Sequence, residues 1–123
     1  MATVLAVDDE APILEIIARA LGSEHSVITA EGGIEALAIF ESYPDRIDLI
    51  VTDVTMPGMS GLELVARLEA LHKRRLPVLF VTGASKDPID PDRAVLSKPF
   101  LPTSLRDTVR QLLQACRACH ENQ

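Results

Sequence analysis

Five short apolar runs punctuate the chain, at TVLAV, SVITA, DLIVT, VLFVT and AVLS, and between most of them apolar residues recur every three or four positions. Short apolar runs without polar alternation read as strands buried on both faces, and the longer period reads as amphipathic helix. The pattern predicts strand 1 at roughly Thr3 to Val7, strand 2 at Ser26 to Ala30, strand 3 at Asp48 to Thr52, strand 4 at Val78 to Thr82 and strand 5 at Ala94 to Ser97. Helix 1 has Pro12 in its first turn, repeats Ile13, Ile16, Ile17, Ala20 and Leu21, and stops at Gly22. Helix 2 follows Gly32-Gly33 with Ile34, Leu37, Ala38 and Phe40 apolar. Helix 3 follows the loop Met56 to Gly61, and Leu64, Val65, Leu68 and Leu71 form its buried stripe. The last helix carries Leu105, Val109, Leu112, Leu113 and Cys116 on one face. Alternating strands and helices predict an α/β fold with a doubly wound parallel sheet.

The alternation fails once. Between Gly83 and Asp92, two prolines and three aspartates oppose a full helix, so that crossover reads as loop with at most a short turn. No repeat, low-complexity tract or linker interrupts residues 1-123, which read as a single domain large enough to bury a core without disulfides.

Composition narrows the function. Hydrophobic residues make up 47% of the chain and charged ones 24%, and no apolar stretch is long enough to span a bilayer. With no export signal at the start, the reading is a soluble, cytoplasmic protein without membrane contact. A net charge of −6 argues against direct DNA or RNA binding, which needs a positive surface. The basic run Lys73-Arg74-Arg75 falls where helix 3 ends, a place cations favour on dipole grounds alone. His25 and His72 read as surface residues.

The chemistry lies at the strand ends. Asp8-Asp9, Asp53, Thr82 and Lys98 each sit at the C-terminal end of an apolar run, so in a parallel sheet they converge on one edge. Three carboxylates at one point repel one another unless a hard divalent cation sits among them, and oxygen-only ligation suits Mg²⁺. A lysine and a hydroxyl facing them leave a place for a phosphoryl group.

Taken together, AVDDE, LIVTDVTMPGMSG, VLFVTG and LSKPF resemble the receiver domain of bacterial two-component response regulators, over almost the whole chain. The resemblance implies a flavodoxin-like sheet of five parallel strands in the order 2-1-3-4-5, with helices on both faces. It implies that Asp53 is the phosphoacceptor, taking a phosphoryl group from a histidine kinase or phosphotransfer protein. Asp8, Asp9, Asp53 and the carbonyl of Thr55 would hold Mg²⁺. Thr82 and Lys98 would stabilise the phosphoryl oxygens, and the bond before Pro99 would be cis. A protein partner downstream would read the changed surface. Such a domain is a signalling module, not an enzyme, and the short tail after the last helix points to a stand-alone receiver.

The chain departs from the family pattern at two points. Receivers commonly carry an aromatic or histidine at the switch position three residues before the lysine, and here that position is Val95, which has no ring to rotate. The interval from Thr82 to Lys98 is also short, so helix 4 of the family is shortened and the Gly83 to Asp92 crossover is the expected site of response. These departures favour the alternative of a receiver-like interaction module that is never phosphorylated; the intact Asp8, Asp9, Asp53, Thr82 and Lys98 oppose it. An aspartate-nucleophile phosphatase would need a second aspartate where Thr55 stands. No P-loop motif follows the glycines. Cys116, Cys119 and His120 spell C-x-x-C-H, but haem attachment requires export, and the three fall short of a tetrahedral metal set.

Overall fold

The computed structural model describes residues 2–83 and 88–121, with side chains through residue 115. Five strands form one parallel sheet: β1 (Thr3–Val7), β2 (Ser26–Ala30), β3 (Leu49–Asp53), β4 (Val78–Thr82) and β5 (Ala94–Ser97), in the order β2-β1-β3-β4-β5. Four helices accompany them among the described residues: α1 (Ala11–Leu21), α2 (Gly33–Ser42), α3 (Gly61–His72) and α4 (Pro102–Glu121). The central strands β1, β3 and β4 are almost wholly buried, which is why they read as unbroken apolar runs, while the edge strands β2 and β5 are partly exposed.

Successive strand residues point to opposite faces and so divide the core in two. Val4, Ala6, Leu49, Val51, Leu79 and Val81 pack with Leu14, Ile17 and Leu21 of α1 and Leu105 and Val109 of α4. Leu5, Val7, Ile50 and Phe80 pack with Ala36 and Phe40 of α2 and Leu64, Val65 and Leu68 of α3. Two helices therefore cover each face. α3 starts on a Ser60 cap whose side chain accepts the Glu63 N–H at 3.1 Å, and it ends at Lys73, which takes a left-handed φ of 53°.

Between β4 and β5, the described residues form turns and no helix. Residues 84–87 of the expected response segment lie outside the description. The end of the crossover is pinned instead by Arg93, which donates to the Leu76 carbonyl at 2.7 Å and to Glu69 Oε2 at 2.6 Å. Glu69 Oε2 also accepts the Leu76 N–H at 2.7 Å, so one half-buried carboxylate ties α3 to the starts of β4 and β5.

Some expectations need correction. β3 runs one residue later than expected, because Asp53 still pairs in register with Val81. Leu71 is 62% exposed and does not belong to the buried stripe of α3. His25 and His72 are not surface side chains: the His25 ring is 10% exposed and takes the Ala2 N–H on Nδ1, and the His72 ring is 19% exposed and packs on Phe40 with centroids 4.8 Å apart. The Cys116, Cys119 and His120 side chains lie outside the description.

Candidate functional site

In the order β2-β1-β3-β4-β5, the chain leaves β1 toward one side of the sheet and returns to β3 on the other. The crevice at such a switch point, beyond the strand ends, is where open α/β sheets bind ligands. Asp8 and Asp9 follow β1, and Asp53 closes β3, so the acids flank that crevice. One carboxylate oxygen from each of Asp8, Asp9 and Asp53 lies within 4.8 Å of the others. Asp8 is fully buried, Asp53 nearly so, and Asp9 is exposed.

Lys98 reaches this cluster from the end of β5. Its Nζ lies 2.9 Å from Asp8 Oδ2 and 3.2 Å from Asp53 Oδ2. The lysine thus bridges two of the acids directly, closer than a position across an intervening group would be. Burial pushes the Asp8 carboxyl above its usual range, and the hydrogen bonds from Lys98 and from the Glu10 N–H, the latter 2.9 Å from Oδ1, offset only part of that. For Lys98, burial pulls the ammonium down, but the bonds to Asp8 and Asp53 outweigh it and hold the group above its ordinary value.

Backbone geometry aims these groups. The Lys98 N–H donates to the Thr82 carbonyl at 2.8 Å, which sets the ends of β4 and β5 side by side, and the Lys98-Pro99 bond is cis. Thr82 is half-buried there. Thr55 follows Asp53 in the exposed loop and turns its N–H toward Asp53 Oδ1, at 3.4 Å. Beneath Asp53, Gly61 permits a close approach that sequence reading missed. A Cβ on Gly61 would fall 2.0 Å from the Asp53 carbonyl oxygen, and the Gly61 N–H donates to the Val54 carbonyl at 2.8 Å. The start of α3 is therefore seated against the peptide that carries Asp53. The only signal in the sequence is a glycine at the first helical position after MPGMS.

A family model for the response regulator receiver domain matches residues 4–110. The chain belongs to this family. The receiver is 37% identical over 120 residues to the sensor kinase CckA of Brucella abortus, covering 92% of this chain and 13% of that protein. It is 32% identical over 122 residues to the transcriptional regulatory protein YvrH of Bacillus subtilis, covering 92% and 49%. The chain thus spans half or less of the length of these relatives. Among solved structures, the chemotaxis protein CheY4 of Vibrio cholerae superposes with a TM-score of 0.79 at 32% identity, over 91% of this chain and 98% of that one. A receiver domain protein from Clostridium thermocellum gives 0.82 at 26% identity, over 97% and 99%. The flavodoxin-like architecture and the membership in two-component signalling are those of the family. No helix among the described residues is long and apolar enough to cross a membrane.

In this receiver Asp8, Asp9, Asp53 and Lys98 stand together at the strand ends. Val95 on β5 pairs in register with Phe80 and is 43% exposed, with its side chain already on the outer surface of the edge strand.

Proposed function

We propose that this receiver takes a phosphoryl group on Asp53 from a histidine kinase or phosphotransfer protein in the cytoplasm, and passes the signal to a protein partner without contacting DNA itself. The observation that carries the reading is the Lys98 ammonium within hydrogen-bond reach of both Asp8 and Asp53, beside an exposed Asp9. One lysine among three acids leaves a deficit of positive charge, and the burial of Asp8 makes that deficit costly. The donor set is all oxygen and clustered, which fits Mg²⁺ held by Asp8, Asp9, Asp53 and the carbonyl of Thr55. When bound, Mg²⁺ would supply positive charge against the phosphoryl oxygens.

The chain's own residues divide the rest of the work. A carboxylate oxygen of Asp53 forms the new P–O bond as the donor's P–N bond breaks, and the electron pair leaves with the donor imidazole, which takes its proton from water. A carboxylate nucleophile attacks without a general base. Lys98 holds its proton through the neutral range and supplies a point charge on a flexible stem, able to pass from carboxylate to phosphoryl oxygens. Thr82, set beside Lys98 by strand pairing, offers a hydroxyl donor to a phosphoryl oxygen. The chain acts as a signalling acceptor and turns over no substrate of its own.

The test is labelling with a radiolabelled phosphodonor in Mg²⁺. The parent chain should label, Asp53→Asn should not, and Lys98→Ala should label weakly. Full labelling of Asp53→Asn would defeat the assignment and favour a non-phosphorylated interaction module.

A further inference from the structure

On the α2/α3 side of the sheet, a cleft of about 570 Å³ opens between the N-terminus of α2 and the loop that runs from Asp53 into α3, next to the acidic site. Its floor is apolar, formed by Met59 and Leu37. Ile34 stands at its edge and is 78% exposed, the most exposed large apolar side chain among the described residues. Glu31, Glu35 and Glu63 stand around it, all exposed, with Arg67 as the single basic lining residue. That arginine is committed to Glu63, 3.1 Å away, so the rim keeps the negative charges of Glu31 and Glu35 near Ile34.

The cleft is a built feature. Met59 lies directly against Gly33, where a Cβ would meet its Sδ at 2.7 Å, so the two walls touch at the base. Glu35 Oε2 accepts the Glu31 N–H at 3.1 Å, which fixes the acidic lip across the start of α2. Gly58 takes a φ of 81° in the opposite wall.

We propose that this cleft is a docking site for a basic amphipathic helix of a partner protein, with an apolar side chain seated beside Ile34 and lysine or arginine on the Glu31 and Glu35 lip. Charge decides the occupant. A second copy of this chain in a two-fold contact would bring the same acidic lip against itself, and like charges oppose that pairing. Nucleic acids and anionic membrane surfaces are repelled for the same reason. An apolar helix face flanked by cations matches both the floor and the rim. The site needs neither Mg²⁺ nor a phosphorylated Asp53.

The experiment uses the full chain without Mg²⁺ or phosphodonor. The probe is a synthetic helical peptide with leucines on one face flanked by lysines, followed by amide NMR titration at low salt. Saturable shifts should concentrate on residues 32–37, 57–59 and 63–67. The double variant E31K/E35K, changed only at exposed positions, should weaken binding at least about tenfold. The same peptide with glutamates in place of lysines should not bind. The proposal is overturned if the shifts fall elsewhere, if the glutamate peptide binds as well, or if no saturable binding occurs. It is also overturned if sedimentation shows a dimer of this chain whose cleft residues broaden as concentration rises without peptide.

Discussion

Lys98→Ala should destabilise the metal-free chain because it strands a buried charge. Asp8 is fully buried, and Lys98 Nζ, 2.9 Å from its carboxylate, is the one side-chain cation bonded to it among the described residues. Removing one partner of a buried ion pair costs about 3–5 kcal/mol, but this pair sits at the mouth of a crevice, so about 2 kcal/mol is expected. In a domain of this size that lowers Tm by roughly 6–10 °C. The pH dependence has a definite sign. Burial already holds the Asp8 carboxyl above its ordinary value of 3.8. A raised carboxyl favours the fold below 3.8 and loses that contribution as pH rises through the folded value. The deficit of Lys98→Ala is therefore largest at neutral pH and shrinks in acid. The contribution of Lys98 itself, raised above 10.5, is complete below that pH and is lost only above it. Thermal melts at pH 7 and in mild acid, in chelator and in Mg²⁺, provide the assay. Mg²⁺ should restore much of the lost stability by binding the folded state alone. On an Asp8→Asn background the lysine change should cost less than half as much, since the two groups interact directly. If Lys98→Ala melts with the parent, or costs the same with Asn at position 8, the buried-charge reasoning fails.

Three other outcomes follow from the same geometry. Asp9→Asn removes the exposed acid of the cluster and should weaken Mg²⁺ binding at least about tenfold, near 1.4 kcal/mol, in calorimetric titration; unchanged affinity would take Asp9 out of the site. Gly61→Ala places a Cβ against the Asp53 carbonyl and should cost about 3 kcal/mol in urea unfolding while slowing phosphorylation; a stable, fully labelled variant would contradict the close approach. Asp90 is held below its ordinary pKa by the Asp92 N–H and by Arg75, so its contribution is present above 3.8 and lost as pH falls through the lowered value. Asp90→Asn should therefore narrow its stability gap to the parent in acid, and a constant gap would oppose this.

The site was legible because parallel buried strands write themselves as unbroken apolar runs. A polar residue that ends such a run must emerge at one edge, so the meeting of Asp8, Asp53 and Lys98 could be read from the sequence alone. What stayed hidden depends on contacts between distant residues. Periodicity marks a helix face but not how far the sheet extends beneath it, so Leu71 reads as core and is exposed. His25 and His72 are polar by type, and only the Ala2 amide and the Phe40 ring reveal them as packed. Gly61 looks like one more loop glycine until the Asp53 carbonyl lies against it. Arg93 finds Glu69 from 24 positions away, and no local pattern announces that pairing. The prolines and aspartates after Gly83 signalled turns in place of a helix, as residues 88–93 show, but not the half-buried carboxylate that pins the strand beyond them.

The most direct test of phosphoryl acceptance is to locate the label chemically. The chain is treated with a small acyl phosphate donor in Mg²⁺, the product is reduced with borohydride to trap any aspartyl phosphate, and the peptides are mapped by mass spectrometry. The modification should fall on Asp53 alone and vanish when Mg²⁺ is chelated. Modification at Asp8 or Asp9, or none at Asp53 with Mg²⁺ shown to be bound, would contradict the account.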